Sequence, residues 1–285
     1  MAVEVRIPLH ITGFWRPVYR ENPLYTGSLG AGVNITPKIV VRARMSNAKE
    51  FYLNDNRVDD IHAVNYVFTR IPCSIRVEAW TKAPLGAGYG LSGGLALGVS
   101  IAAAIVCREE ITLENAAARA HIAEVMAKTG LGDVIAEYYG GLEIRTKPGA
   151  PGIGSIVKIP VDPSVRVVSI VLGKWLTSDM LARYTPELSR IAETLLEKLI
   201  ERPSLEVFIE VSQLFTRRFF NYKLIDQLVA PLRKMIIGYY VKKGVGVIFV
   251  DKDRVDDVVS YFRENKFEVI HGNIDYSGVE VVDTP

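Results

Sequence analysis

The chain has 285 residues, 49% of them apolar and 23% charged, and its charges nearly cancel at a formal +2. That length holds one large domain or two ordinary ones with ample core, and the near-neutral balance argues against nucleic acid as the main partner. No charged-then-apolar leader opens the sequence and the longest apolar run is too short to cross a bilayer, so a cytoplasmic protein without a membrane partner is expected.

Residues 3–7 (VEVRI) alternate as a half-buried edge strand does, and Pro8 interrupts them. Residues 27–32 read as a small glycine-bearing loop containing Ser28, with a plain hairpin connection as the alternative. Strands follow at residues 35–44 and 49–53, a turn at Asn54-Asp55-Asn56, a helical pattern at 58–68 and an alternating strand at 74–80. Residues 95–107 form an apolar run rich in Ala and Leu, good helix formers. Cys73 and Cys107, both in apolar settings, read as buried thiols rather than a disulfide or a metal site. Thr112 is a candidate N-cap for a helix over 114–128, on which His121 and Glu124, three apart, share a face. Asp133 stands where it would cap a helix over 134–139, which Gly140-Gly141 ends, and residues 142–146 form a strand carrying Arg145. The KPGAPGIG segment at 147–154 is a linker or loop, and a domain boundary is expected after 157–160, giving units 1–160 and 161–285. Beyond it lie a strand at 165–173, helices at 186–201, 205–220 and 224–240, a strand at 244–250, a helix at 254–265 and strands at 267–270 and 279–282. Arg217-Arg218 and Lys242-Lys243 read as solvated faces.

The stretch with the clearest chemistry is residues 82–107, KAPLGAGYGLSGGLALGVSIAAAIVC. Gly86, Gly88, Gly90, Gly93 and Gly94 leave a loop almost free of side chains at the head of a helix. The first N–H groups of a helix have no intrahelical acceptor, and with the helix dipole they make an anion site, most often for phosphate. Glycine lets the phosphate approach the backbone closely. Ser92 is the one polar side chain there, able to cap the helix or to reach a phosphate oxygen or a metal ion. No Gly-Lys-Ser/Thr follows, so this is not a Walker A loop, and Leu91 stands where a G-x-G-x-x-G needs its third glycine. For Glu124 a solvated surface glutamate is the plain alternative, for Asp133 a helix cap, for Arg145 a solvated side chain and for His10 a structural histidine. An Arg does, however, offer a carboxylate substrate a planar bidentate partner.

PLGAGYGLSGG resembles, in register and without gaps, the second motif of the GHMP kinases (galactokinase, homoserine kinase, mevalonate kinase and relatives), P-x-G-x-G-L-G-S-S-A-A, with Leu91 in place of the first serine and Ser92 keeping the second. Their first motif is met in part: Pro8 fits, His10 stands where Lys is common, and the Gly-Glu-His is missing. PLHITGFW followed by NPLYTGSLGAGV, and GLGDVIAEYYGGLEIR further on, resemble the archaeal pantoate-kinase branch, while VKKGVGVIFVD matches the glycine-rich third motif only through Gly244 and Gly246. The resemblance implies an α+β fold in two domains, an N-terminal one with the glycine loop and a ferredoxin-like C-terminal one, with the active site between them. It implies ATP and Mg²⁺, with Pro84, Gly86, Ala87, Gly88, Tyr89, Gly90, Leu91, Ser92 and Gly93 on the nucleotide, Ser92 and Glu124 on the metal, and Asp133 at the catalytic-aspartate position. Arg145, His10, Ser28 and His121 would hold the hydroxy acid, and the reaction would be phosphorylation of the primary hydroxyl of pantoate on an archaeal route to coenzyme A. The alternatives are another GHMP activity, on homoserine or mevalonate, and a sensor that binds without turnover. The oligomeric state is left open, a homodimer included.

Overall fold

The computed structural model describes residues 2–175 and 177–283. Its first layer contains β1 (Ala2–Val18), β2 (Gly27–Met45), β3 (Glu50–Leu53), β4 (Asn56–Arg57), α1 (His62–Phe68), β5 (Ile75–Trp80), α2 (Leu91–Val106), α3 (Leu113–Ala127), α4 (Asp133–Tyr139), β6 (Leu142–Lys147) and β7 (Ser155–Ile159). The second contains β8 (Val165–Val171), α5 (Thr177–Ala182), α6 (Pro186–Glu201), α7 (Leu205–Thr216), α8 (Lys223–Val229), β9 (Ile236–Lys242), β10 (Val245–Asp251), α9 (Val255–Glu264) and β11 (Val269–Asn273). The last strand, β12 (Glu280–Asp283), returns to pair with β1.

The first sheet runs β12-β1-β2-β5-β3-β4, with β6 branching from β2 and carrying β7; the second, wholly antiparallel, runs β11-β8-β10-β9. The mixed α/β content agrees with the α+β class expected. β1 and β2 pair from Ala2 opposite Arg44 to Val18 opposite Gly27, with slips at Ile7/Leu9 and Thr12/Phe14. The first slip accommodates Pro8, which has no N–H to donate, so the strand continues through the residue expected to interrupt it. Residues 27–32 likewise belong to β2 and not to a loop. A glycine is needed at Gly32, because a Cβ there would run into His10 Nε2 across the hairpin.

α2 is buried nearly all round, as an apolar helix without a polar face must be, and it begins at Leu91, earlier than the run from residue 95 suggested. The pattern over 224–240 does not form one helix: α8 stops at Val229, a 3₁₀ turn carries Pro231, and Ile236–Lys242 is a strand. Proline removes an intrahelical bond there, and the β-branched and aromatic residues after it suit a sheet. Between the layers Trp15 packs at 4.9 Å between ring centroids against both Phe215 and Phe219, and Tyr240 OH donates to Ile11 O at 2.8 Å.

Cys73 and Cys107 form a disulfide, contrary to the free thiols expected. The fold brings Cys73, two residues before β5, to the C-cap of α2, with the two Cα atoms 5.7 Å apart. The link ties together the two ends of the strand–loop–helix unit that carries the glycine stretch. Closing a loop of 34 residues restricts the unfolded chain by about 3–4 kcal/mol. We therefore expect Cys73→Ala/Cys107→Ala to lower the unfolding free energy in denaturant titrations by about 3 kcal/mol, with activity at 25 °C unchanged. An unaltered midpoint would show that the link adds nothing to stability.

Candidate active site

The loop between β5 and α2 is fixed from several sides. His10 N donates to Tyr89 O (3.1 Å), Gly244 N to Ala87 O (2.9 Å) and Trp175 N to Gly86 O (3.0 Å). Tyr89 turns its ring inward and its OH donates to Ser169 Oγ on β8 at 3.0 Å. Gly90 is the N-cap of α2 at φ +68°, and a Cβ there would run into Glu137 Oε1. No side chain caps this helix, so Ser92 is not its cap; Ser92 Oγ is buried without a hydrogen bond. The amides at the head of α2 are thus left to an anion.

Three carboxyl groups converge beneath this loop, each in a different electrostatic state. Asp133 is the first residue of α4 rather than its cap, which is Gly132, and its carboxylate turns to His10. His10 is wholly buried, with Nδ1 2.8 Å from Asp133 Oδ1 and Nε2 3.1 Å from Glu143 Oε1. With a carboxylate at each nitrogen, the imidazolium donates to both. Burial opposes that charge, but the bonds and charges of Asp133 and Glu143 outweigh it and raise the pKa of His10. Asp133 is affected in the opposite sense: burial would raise it, yet the His10 bond and charge, with Lys243 and Lys242 nearby, bring it down to about 2.

Glu124 lies at the C-terminal end of α3 but is only 2% exposed, so it is not the solvated glutamate the sequence allowed. Thr129 Oγ1 donates to its Oε1 at 2.5 Å, while Oε2 has no partner. Burial first, then the charge of Asp133, push its pKa up to about 7 against the opposing Thr129 and Ser92 hydroxyls. Ser92 Oγ lies by this carboxylate outside hydrogen-bond geometry. Glu137 is fully buried with both oxygens unpartnered, and burial with two carboxylates nearby holds it well above the usual range.

A cleft of about 610 Å³ opens over these groups. Gly86, Gly88, Tyr89, Gly90, Leu91 and Ser92 line it, as do Ser28 and Asp133, whereas Pro84, Ala87 and Gly93 do not. His10 lies behind Asp133, and His121, also buried, has Nε2 2.8 Å from Thr26 O beside the Ser28 backbone. Arg145 is buried, paired through Nη1 with Glu143, and its Nε and Nη2 have no partner. A Cβ on Gly132 would stand 2.9 Å from Arg145 Nε and run into Ser28 Oγ; Ser28, Gly132 and Asp133 line the cleft, and Arg145 lies behind them without lining it.

Lys242 and Lys243 are a correction to the sequence reading: neither is a solvated charge, and both line the cleft from the β9–β10 turn. Lys242 is 5% exposed, its Nζ 3.4 Å from the centroid of the Trp15 ring and 3.2 Å from Met180 Sδ. The helical spacing over 224–240 hides β9 and with it the burial of Lys242 at the strand's end. The signal that was present is VKKGV itself, two basic residues and a glycine between apolar runs, which is hairpin chemistry.

Ser92 Oγ and Glu124 Oε2, two buried oxygen donors without partners, fit a hard cation that keeps several waters and takes other ligands from a nucleotide. Among the described residues no group of three or more His, Cys, Asp or Glu is placed to hold a metal.

The model of the GHMP kinases N terminal domain matches residues 58–141. Over 216 residues the chain is 35% identical to the pantoate kinase of Methanocaldococcus jannaschii, covering 73% of this chain and 77% of that one. It is 33% identical over 231 residues to the pantoate kinase of Thermococcus kodakarensis, with 76% of each chain covered. A solved structure described as a phosphotransferase related to the CoA biosynthesis pathway superposes with a TM-score of 0.87 at 26% identity, over 99% of both chains.

The opposed states of the two carboxylates are directly measurable. With Asp ¹³Cγ labelling, the Asp133 resonance should not titrate between about pH 4 and 9, because its pKa of about 2 lies below that window. His10→Phe removes the bond and the charge that lower it; burial then dominates and the midpoint should rise above the ordinary carboxylate value. An unmoved Asp133 resonance in His10→Phe would show that His10 does not set its charge.

Proposed function

The chain belongs to the GHMP kinases, in the pantoate-kinase branch, and from that premise we propose that it transfers the γ-phosphoryl group of ATP to the primary hydroxyl of pantoate, giving 4-phosphopantoate on a route to coenzyme A. The observation that carries the substrate is the Arg145 guanidinium, buried with Nε and Nη2 unpartnered, packed with Ser28 against Gly132, the residue before Asp133. A planar cation kept partly unsatisfied in a buried place is costly unless an anion completes it. A carboxylate a few bonds from the reacting hydroxyl does so.

The loop amides at the head of α2 hold the triphosphate. Ser92 and Glu124 would hold Mg²⁺, which when bound neutralises phosphate charge. Asp133, oriented by His10, accepts a hydrogen bond from the substrate hydroxyl and aims its oxygen at the γ-phosphorus. The oxygen–phosphorus bond forms as the bond to the bridging oxygen breaks, and the hydroxyl proton, acidified by the new bond, leaves past Asp133 to solvent. With a pKa of about 2, Asp133 is a weak base, so its part is orientation, which a loose phosphoryl-transfer transition state requires more than early deprotonation. His10 acts through Asp133, and His121 through its bond to Thr26 O just before β2. We read the second layer as the ferredoxin-like half; its strand order β11-β8-β10-β9 and its β-α-β-β-α-β succession, with a helical insert, support this.

Incubation of the purified protein with ATP and Mg²⁺ against pantoate, homoserine and mevalonate tests the reading: phosphate should appear on pantoate alone. Turnover on homoserine or mevalonate, or binding of ATP with no turnover on any of the three, would overturn it. Arg145→Lys keeps a cation beside Glu143 but loses the planar fork. A charge-assisted hydrogen bond is worth roughly 1.5–3 kcal/mol, so KM for pantoate should rise roughly ten- to a hundredfold with KM for ATP unchanged. An equal rise for both would place the carboxylate elsewhere.

Glu124 and Asp133 separate by their response to metal and pH. Protons compete with a cation for Glu124, so the Mg²⁺ concentration for half-maximal rate should climb as pH falls below about 7. Raised Mg²⁺ should partly restore Glu124→Gln, which loses that pH dependence. Asp133→Asn should bind ATP normally and lose kcat by roughly 10²–10³ with no rescue. Rescue of Asp133→Asn, with none for Glu124→Gln, would reverse the assignment.

A further inference from the structure

We propose that Lys243, at the tip of the β9–β10 turn, is a catalytic residue whose ammonium contacts the γ-phosphoryl group during transfer. The inference rests on the reading of the cleft as a phosphoryl-transfer site and adds to it a cation supplied by the second layer.

The placement follows from the turn. β9 ends at Lys242 and β10 begins at Val245, which leaves Lys243 and Gly244 as a two-residue connection. Gly244 N bonds to Ala87 O, so the turn is seated on the glycine loop. A Cβ on Gly88 would stand 3.0 Å from Lys242 O and 3.2 Å from Lys243 Cβ. The Lys243 stem therefore lies against the middle of the loop, in a cleft it shares with Ser92 and Asp133. Its charge faces Asp133 and Glu124, the two carboxylates assigned to the hydroxyl and the metal.

Other cations lie near the site. Both nitrogens of His10 are taken by carboxylates behind the cleft wall, so the histidine standing on β1 cannot turn to a phosphate. Arg145 is paired with Glu143 on the far side of Gly132. Lys242 stacks on Trp15, and Lys128, at the C-cap of α3, also lines the cleft but is exposed. Lys243 also occupies its turn at φ +52°, a left-handed position that glycine or asparagine fills at lower cost. In this turn its stem stays against Gly88. During transfer it stays protonated: the γ-phosphorus leaves the bridging oxygen of ADP for the substrate oxygen, and the ammonium offsets the charge on the phosphoryl oxygens in both arrangements.

The test compares Lys243→Met and Lys243→Arg with the wild type. Lys243→Met should lose kcat by roughly 10²–10³ with KM for pantoate unchanged, and Lys243→Arg should recover part of it. A contact to the γ-phosphoryl also predicts that the affinity of Lys243→Met for a non-hydrolysable ATP analogue falls roughly tenfold or more while its affinity for ADP stays at the wild-type value. That ratio needs no turnover, so it stands apart from the choice of acceptor substrate: a wild type inactive on pantoate would sink the proposed function and leave this comparison intact. Equal losses for the analogue and ADP, with a lowered Tm, would show that Lys243 only props the loop and would overturn the proposal, as would a full kcat. If Lys243→Met fails to fold, Lys243→Gln, with a polar tip, carries the same comparison.

Discussion

A chain of buried charges runs through the centre of the first layer. Arg145 on β6 pairs with Glu143, Glu143 accepts from His10 on β1, and His10 donates to Asp133 at the start of α4. All but Asp133 are essentially inaccessible to solvent. Two cations and two anions alternate, so the chain is neutral as a whole, and removing any one member leaves its neighbour buried and uncompensated. Such a loss typically costs about 3–5 kcal/mol, far more than a surface pair. The arrangement forces β1, β6 and α4 into one mutual position and fixes the Asp133 carboxylate to within the tolerance of a hydrogen bond.

That constraint decides what the site above can do. The same carboxylate that His10 holds ionised raises Glu124 through its charge, so one acid is kept strongly anionic and the other is poised near neutrality. Environments that separate two carboxylates in this way assign them different work. The glycine loop, bound by backbone hydrogen bonds to β1 on one side and to Gly244 and Trp175 on the other, is the place where the two layers must agree. At this junction the first layer supplies the glycine-loop amides and the second supplies Lys242 and Lys243.

Much of this was legible in the sequence because it is local. Gly86, Gly88 and Gly90 before an apolar helix are read from neighbouring residues alone, and the Thr112 cap, confirmed by its bond from Asn115 N at 3.2 Å, needs only its own first turn. What escaped is non-local or balanced between two local preferences. Cys73 and Cys107 meet only because α2 runs back along the sheet. Pro8 stops a regular strand but not one that bulges. Lys242 and Lys243 carry no mark of burial, since a lysine reads as solvated until the fold places a tryptophan ring and a glycine loop around it. His10 was legible as a residue of interest, but its two carboxylate partners, Asp133 and Glu143, come from positions more than a hundred residues away.

The account stands most directly on where the two substrates lie relative to each other. A crystal structure with a non-hydrolysable ATP analogue, Mg²⁺ and pantoate should place the triphosphate on the amides at the head of α2 and the pantoate carboxylate on Arg145 Nε and Nη2. The primary hydroxyl should then lie between Asp133 and the γ-phosphorus. Pantoate bound through Lys242 against Trp15, with Arg145 still unpartnered and the hydroxyl away from Asp133, would contradict it.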